Sequence, residues 1–338
     1  EFGNRLAAVV NINTRRGGNT IDGVAQLRYG SFQTLESSAY LSYGQGPVSF
    51  FVGGSFMQSQ RMLDPPSITP ILHDDGHSAR LFARIDYAPT TRDRIELFAN
   101  YAKNRFEIPI DPTVVPLDPQ RPDLVRPRDS FGNESPAYVP HDTDGTETEH
   151  ELFLSLSWVH SFDKRSQIQI APYYKLSLGA LSSDPAHALG ALADPGTIVS
   201  DVNRRADHVG AVAHYSLQAG RHLIKAGAQL NQLQGATDYT QYVRSDADPS
   251  GGIADSVSGV DQTRALLVGA YLQDRFETGR FGLHYGVRFD LQRVMLSDGS
   301  ASNQWGISPR LGAIYQYSDV TTLHAGYARY FTPPPTEL

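Results

Sequence analysis

The stretch that decides the fold is FGLHYGVRFDLQ at residues 281–292. Its large apolar residues occupy every second position from Phe281 to Leu291, and Gly, His, Arg, Asp and Gln fill the positions between them. Successive side chains of a β-strand point to opposite faces of its sheet, whereas a helical face repeats about every 3.6 residues. The stretch therefore predicts a strand with one apolar and one polar face.

The same alternation recurs from about residue 21 to the end of the chain, and we count about thirteen segments of roughly ten residues. A tilted strand needs about ten residues to cross the apolar band of an outer membrane, which is about 25 Å tall. The pattern therefore predicts an all-β, antiparallel transmembrane β-barrel. Its clearest further examples are residues 79–87, 95–101, 152–158, 209–217 and 266–272, with Phe82 as an exception on a polar face.

The predicted connections alternate between short and long, as in outer-membrane barrels with tight periplasmic turns and extended external loops. The short ones are residues 44–47, 89–93, 161–165, 219–221, 277–279 and 317–319. The long ones are residues 61–77, 107–147, 179–204 and 235–261, and the first external connection, at 30–34, is short. Because an open sheet in lipid leaves unpaired backbone groups at both edges, we expect these strands to belong to a larger barrel.

Composition removes several classes of function. The 338 residues include no Cys, which excludes disulfides and thiolate metal sites, and the net charge of −7 comes with no basic stripe. We therefore expect no nucleic-acid partner. No G-x-S-x-G or zinc-enzyme motif accompanies the histidines, so we expect no enzymatic activity, no catalytic residue and no cofactor.

Charged side chains on the polar phase of the strands are the candidate site residues. We expect them to line a wet lumen, where they contact a ligand or an inner domain, or pair with carboxylates such as Asp86 and Asp290. These candidates are Arg80, Arg84, Arg275, His284, Arg288, Asp290, Arg310 and His324.

Two loop stretches carry residue types that bind metals. HDDGH at residues 73–77 offers imidazoles and carboxylates, and DTDG at 142–145 resembles the start of an EF-hand loop, although its Gly comes too early. Ordinary solvated loop residues explain both stretches more simply, so we assign no metal site from the sequence.

Both ends of the chain resemble TonB-dependent outer-membrane receptors. FGNRLAAVVNINTR at residues 2–15 is similar to the G-x-x-x-G-G-V-I-N-I-x-T-K/R run that leads from the plug domain of that family into its first barrel strand, with Ala7 and Ala8 in place of Gly. GVRFD at 286–290, SPRLG at 308–312 and GYARYFTPPPTEL at 326–338 resemble later barrel strands of the family.

The resemblance implies a domain division and a function. Residues 1–16 would be the C-terminal end of the plug and residues 17–338 the N-terminal part of a barrel of about 22 strands, of which about nine lie outside this chain. The protein would lie in the outer membrane and import a ferric chelate, a cobalamin-like compound or a glycan.

The implied partners are the ligand, outer-membrane lipid and the TonB complex, which would act through a segment before Glu1. A passive, porin-like channel is the alternative. A plug domain upstream of Glu1 would favour the receptor, and a bare signal peptide would favour the porin.

Overall fold

The computed structural model describes residues 14–63, 71–109, 116–118, 121–125, 144–185, 198–244 and 253–332. Within these ranges the chain forms fifteen strands, and no helix there is long and apolar enough to cross a membrane. The strands are β1 Asp22–Tyr29, β2 Leu35–Gln45, β3 Val48–Ser59, β4 Gly76–Tyr87, β5 Asp93–Glu107, β6 Pro116–Asp118, β7 Arg121–Val125, β8 Thr146–Ser161, β9 Ser166–Ser182, β10 Ile198–Ala219, β11 His222–Arg244, β12 Ile253–Thr278, β13 Phe281–Leu296, β14 Ala301–Ser318 and β15 Thr321–Ala328.

Thirteen of these strands form one antiparallel sheet in chain order, and β6 and β7 form a separate two-stranded hairpin. Each strand of the large sheet pairs with the strands before and after it, and among the described residues β1 and β15 are the two unpaired edges. The all-β, antiparallel prediction and the thirteen strands of the sheet are confirmed. The hairpin lies in the longest predicted loop and was not foreseen.

The pairing register defines two faces of the sheet, because directly opposed residues of neighbouring strands place their side chains on the same side. In β13, Arg288 is opposite Tyr271 of β12 and Ser308 of β14. We call the side that carries Arg288 the polar face. The other side, which carries Phe281, Val287 and Phe289, is the apolar face.

Burial of the two faces is the reverse of that in a soluble protein. The apolar face exposes large side chains, whereas the polar face buries charged and hydroxyl groups. Large hydrophobic side chains of the apolar face with exposed fractions of 47–64% are Leu81, Leu272, Val287, Trp305 and Leu311. Polar-face side chains exposed by 6% or less are Ser42, Arg84, Asp86, Arg288, Asp290, Gln292 and Ser308.

Curvature explains this contrast, because side chains crowd together on the concave side of a curled sheet and splay apart on its convex side. The polar face is therefore the concave one. The convex face exposes many large hydrophobic side chains, as expected where lipid is the solvent.

Three strands are much longer than the sequence pattern predicted. β10, β11 and β12 have 22, 23 and 26 residues. The predicted loop at 235–261 is therefore largely strand and shrinks to the connection between Arg244 and Ile253, while the loop predicted at 179–204 loses its first residues to β9 and its last ones to β10. At about 3.4 Å per residue and a tilt of about 40°, 26 residues rise by roughly 65–70 Å, far beyond an apolar band of about 25 Å.

The short connections at the opposite end of the sheet agree with the predicted turns to within a few residues. Three of them contain a Gly with a positive φ of 56–61°, and these are Gly46, Gly220 and Gly279. Residues with a Cβ adopt a positive φ less readily than Gly does. In the turn between β8 and β9, Asp163 Oδ1 accepts hydrogen bonds from the backbone N–H groups of Arg165 and Ser166 at 2.7 and 2.8 Å.

The hydrogen bond from the Arg165 backbone N–H, together with those from Ser166, lowers the pKa of Asp163 below its usual value. A lowered folded-state pKa stabilises the turn above the unfolded pKa of about 3.9, and this contribution is lost as the pH falls through the folded-state value. We therefore expect Asp163→Ala to lower the urea unfolding midpoint slightly at neutral pH. The difference in midpoint between parent and variant should become smaller below about pH 3. A gap that stays constant with pH would show that the carboxylate charge has no part in the turn, and Asp163→Asn, which keeps the acceptor, serves as the control.

Candidate functional site

A short strap of chain, residues 14–18, lies across the concave face and is tied there by Arg84. The guanidinium of Arg84 donates to Thr14 O at 3.2 Å and to Thr14 Oγ1 at 2.5 Å. It also donates to both oxygens of Asp86, at 2.7 and 2.9 Å, and to Glu96 Oε2 at 2.6 Å. Arg84 is 5% exposed, so this hub is a buried, multiply bonded cation. Removal of the cation would leave two carboxylates close together.

The next residues of the strap make their own contacts with the same face. Arg15 lies over the ring of Tyr40 at 5.3 Å and bonds to the Tyr40 hydroxyl and to Asp22. Arg16 lies 3.5 Å from Asp86. Gly17 passes so close to β2 and β3 that a Cβ there would lie 2.5 Å from Phe50 O and closer still to Tyr43 O. The strap therefore approaches β1 from the concave side.

A belt of six aromatic rings crosses the concave face from β2 to β9, beside the Arg84 hub. Neighbouring ring centroids are 5.1–6.0 Å apart, in stacked, tilted or edge-on arrangements. Phe51 and Phe98 are the direct cross-strand partners of Arg84. Aromatic pairs at these distances stabilise a sheet beyond the burial of their area, so the belt stiffens this wall. Its rings are Tyr40, Phe51, Phe82, Phe98, Phe153 and Tyr173.

A cationic cleft of about 550 Å³ occupies the other half of the concave face, between β11 and β15. The charged residues of its lining on the concave face are four cations, with His284 among them, whereas Asp274 in the same lining lies opposite Tyr285 on the apolar face. Two of these cations already pair with carboxylates, Arg275 with Glu277 and Arg288 with Asp290. The cleft would still favour anionic groups, because carboxylates and oxyanions accept charge-assisted hydrogen bonds from Arg and Lys. The four cations are Lys225, Arg275, Arg288 and Arg310.

The register places all eight candidate residues on the concave face, but it divides them between the two halves. Arg84 forms the hub, while Arg275, His284, Arg288 and Arg310 line the cleft. Arg288 bonds Asp290 with both side chains only 3–4% exposed. The remaining two, Arg80 and His324, are exposed, on β4 and β15.

A recurring local pattern, Arg-x-Asp or Arg-x-Glu along one strand, explains four of the charge pairs. Residues two apart lie on the same face, so a long Arg side chain reaches the following carboxylate. The suggested pairing with Asp86 and Asp290 is present in this form. The four pairs are Arg84 with Asp86, Arg205 with Asp207, Arg275 with Glu277, and Arg288 with Asp290.

Sequence reasoning missed two features of the concave face, the residue Glu96 and the aromatic belt. Glu96 completes the Arg84 hub, and only the register, which sets it opposite Asp86, identifies it. The aromatic belt contains Phe82, which the alternation marked as an exception. The five other rings also occupy polar-phase positions of their strands. Phe82 is therefore one member of a row of stacked and edge-on aromatic rings rather than an isolated exception.

The metal-ligand stretches of the sequence are reorganised at the end of the sheet that bears the long connections. His73 lies next to Glu107 and Asp144, with their ligand atoms within 4.8 Å of one another. Asp74 instead accepts a hydrogen bond from Leu63 N, and the ring of His77 stacks on Phe56. Asp142 and Thr143 lie outside the described residues, so the stretch at 142–145 contributes Asp144 alone.

An open antiparallel sheet with a lipid-type convex face and a charged concave face defines a protein of the outer-membrane β-barrel class. The family model described as "TonB dependent receptor-like, beta-barrel" matches residues 75–338. The chain belongs to this family, and so to the proteins of the outer membrane. A search of curated proteins finds no match.

Solved structures with the same fold have low sequence identity to the chain. The copper transporter OprC superposes with a TM-score of 0.67 at 15% identity, covering 96% of this chain and 47% of that one. The ferripyoverdine receptor of Pseudomonas aeruginosa gives 0.67 at 14%, covering 94% and 43%. The alcaligin receptor FauA of Bordetella pertussis gives 0.60 at 14%, covering 95% and 45%. The chain thus spans a little under half the length of these proteins.

Proposed function

We propose that this chain is part of an energy-coupled receptor that imports a scarce nutrient through the outer membrane, with the concave face lining the lumen. The observation that carries the proposal is the strap at residues 14–18, which the Arg84 hub holds on the concave side. A chain segment that reaches β1 from the concave side of the sheet is expected where a preceding domain lies in the lumen. An open, passive pore has no need for such a hub.

The two halves of the concave face suit two tasks in this proposal. The aromatic belt and the Arg84 hub, on the strands nearest the strap, would contact an inner plug domain. The cationic cleft, with Arg275, His284, Arg288 and Arg310, would guide an anionic solute. Ferric chelates with carboxylate or oxyanion groups fit that charge best, while a cobalamin-like compound or a glycan is the alternative cargo.

Energy dependence separates this proposal from a porin-like channel. We expect a strain that lacks the gene to lose growth on one member of a panel of sole iron sources under iron limitation, because diffusion cannot concentrate a scarce chelate. Uptake of that radiolabelled chelate in the parent strain should stop when a protonophore is added or the TonB complex is deleted. The iron panel contains ferric citrate, a ferric hydroxamate and a ferric catecholate, and growth that requires cyanocobalamin or a maltodextrin tests the other two cargo classes.

Uptake that is non-saturable and indifferent to the protonophore would establish the passive channel instead. Normal growth of the deletion strain on the whole panel would count against nutrient import of these classes. Complementation with the parent gene provides the control for polar effects of the deletion.

A further inference from the structure

Three segments that are distant in sequence meet at the end of the sheet that bears the long connections. They are the chain just before β4, the end of β5 and the chain just before β8. Backbone hydrogen bonds join them, from Glu107 N to Asp75 O at 2.9 Å and from Ile108 N to Gly145 O at 2.8 Å. The position of each segment is therefore fixed by the sheet and its immediate extensions.

Each segment contributes one metal-binding side chain to the junction. His73 offers an imidazole nitrogen, and Glu107 and Asp144 each offer a carboxylate oxygen, with these atoms within 4.8 Å of one another. His73 Nδ1 and Glu107 Oε2 are 3.9 Å apart. Ligands bound to one Zn²⁺ at about 2.0–2.2 Å lie about 3–3.5 Å from each other. Small side-chain adjustments therefore suffice to bring all three onto one ion.

Further hydrogen bonds hold the carboxylate-bearing segments in place. Asp75 N donates to Glu107 Oε2 at 3.2 Å, and Asp144 N donates to Asp184 Oδ2 at 2.8 Å. The His73 and Glu107 side chains are 17% and 21% exposed, so water screens their charges incompletely, whereas Asp144 is exposed. A half-buried carboxylate and imidazole gain more from a shared cation than fully solvated loop residues would, and Asp144 adds a second negative charge from the solvent side.

We propose that His73, Glu107 and Asp144 form a binding site for a divalent cation of the Zn²⁺ type, with water in its remaining coordination positions. The donor set favours this class, because imidazole with carboxylate suits Zn²⁺ and its transition-metal neighbours. Ca²⁺ prefers six to eight oxygen ligands. The ion would tie the connection before β4 to the one between β5 and β8. The proposal does not depend on nutrient import.

Zinc titration of the full-length protein that carries this chain tests the site. The protein is purified in detergent, stripped with a chelator and titrated with Zn²⁺ in competition with a chromophoric chelator. We expect one saturable site that depends on the cluster, with affinity reduced about 10-fold or more in each of His73→Gln, Glu107→Gln and Asp144→Asn. Zn²⁺ should also slow proteolysis of the long connections in the parent but not in these variants.

The matched controls change the same residue types close by. His77→Gln and Glu147→Gln should keep the parental zinc affinity, because neither residue belongs to the cluster. Each variant is first shown to retain the parental urea unfolding midpoint without metal, so that lost binding is not lost folding. Absence of saturable binding in the parent, or equal affinity in the cluster and control variants, would overturn the site.

Discussion

Replacing Arg84 by alanine is expected to destabilise the folded protein by about 3–5 kcal/mol, because it breaks a buried charge cluster and leaves its anions without their cation. Arg84 is 5% exposed and bonds Asp86, Glu96 and Thr14 at once. Arg84→Lys should recover part of the loss, since an ammonium keeps the charge but not the fork that grips both oxygens of Asp86. Urea unfolding in lipid vesicles, followed through Trp158 and Trp305, measures the change.

The same strand supplies the control for this experiment. Arg80 lies on the same face of β4 but is exposed. We expect Arg80→Ala to change the free energy of unfolding by no more than about 0.5 kcal/mol. If the Arg84→Ala and Arg80→Ala variants have the same free energy of unfolding, the Arg84 hub does not stabilise the fold, and it does not hold the strap.

A methyl group at Gly17 should detach the strap from the concave face. Its Cβ would press on the Phe50 and Tyr43 carbonyl oxygens, which belong to paired strands and cannot move aside. We expect Gly17→Ala to cost about 1–3 kcal/mol and to weaken the contacts of Thr14 with Arg84 and of Arg16 with Asp86. Trypsin should then cleave after Arg15 or Arg16 faster than in the parent.

The neighbouring glycine gives a control one residue away. A Cβ at Gly18 meets nothing within 4 Å, so Gly18→Ala should leave both stability and trypsin cleavage near the parental values. Equal cleavage of the two variants would indicate that the strap is not held where Gly17 meets β2 and β3.

The sequence predicted the membrane-crossing part of the fold because lipid and water impose opposite demands on alternate residues. This signal fails where the strands rise above the apolar band. Thr237, Tyr239 and Val243 of β11 still favour a strand. Above the apolar band, however, both faces of the β11–β12 pair meet water, so the alternation of apolar and polar residues disappears. The heights of β10, β11 and β12 were therefore underestimated, although their membrane-level residues were correctly read.

The site was only partly predictable for a different reason. Phase along one strand places Arg84 and Arg288 on the polar face, but it does not tell which strands stand side by side or in which register. Partners such as Glu96, and the meeting of His73 with Glu107 and Asp144, depend on long-range pairing. Composition offers no local signal for such pairing.

The odd number of strands in this sheet restricts how many strands a closed barrel can contain. Neighbouring strands run in opposite directions, so β1 and β15 at its two edges point the same way. These edges cannot join each other in the antiparallel pattern used everywhere else in the sheet. Any barrel that closes around this wall with antiparallel pairs must place an odd number of further strands between β15 and β1, which makes its total even.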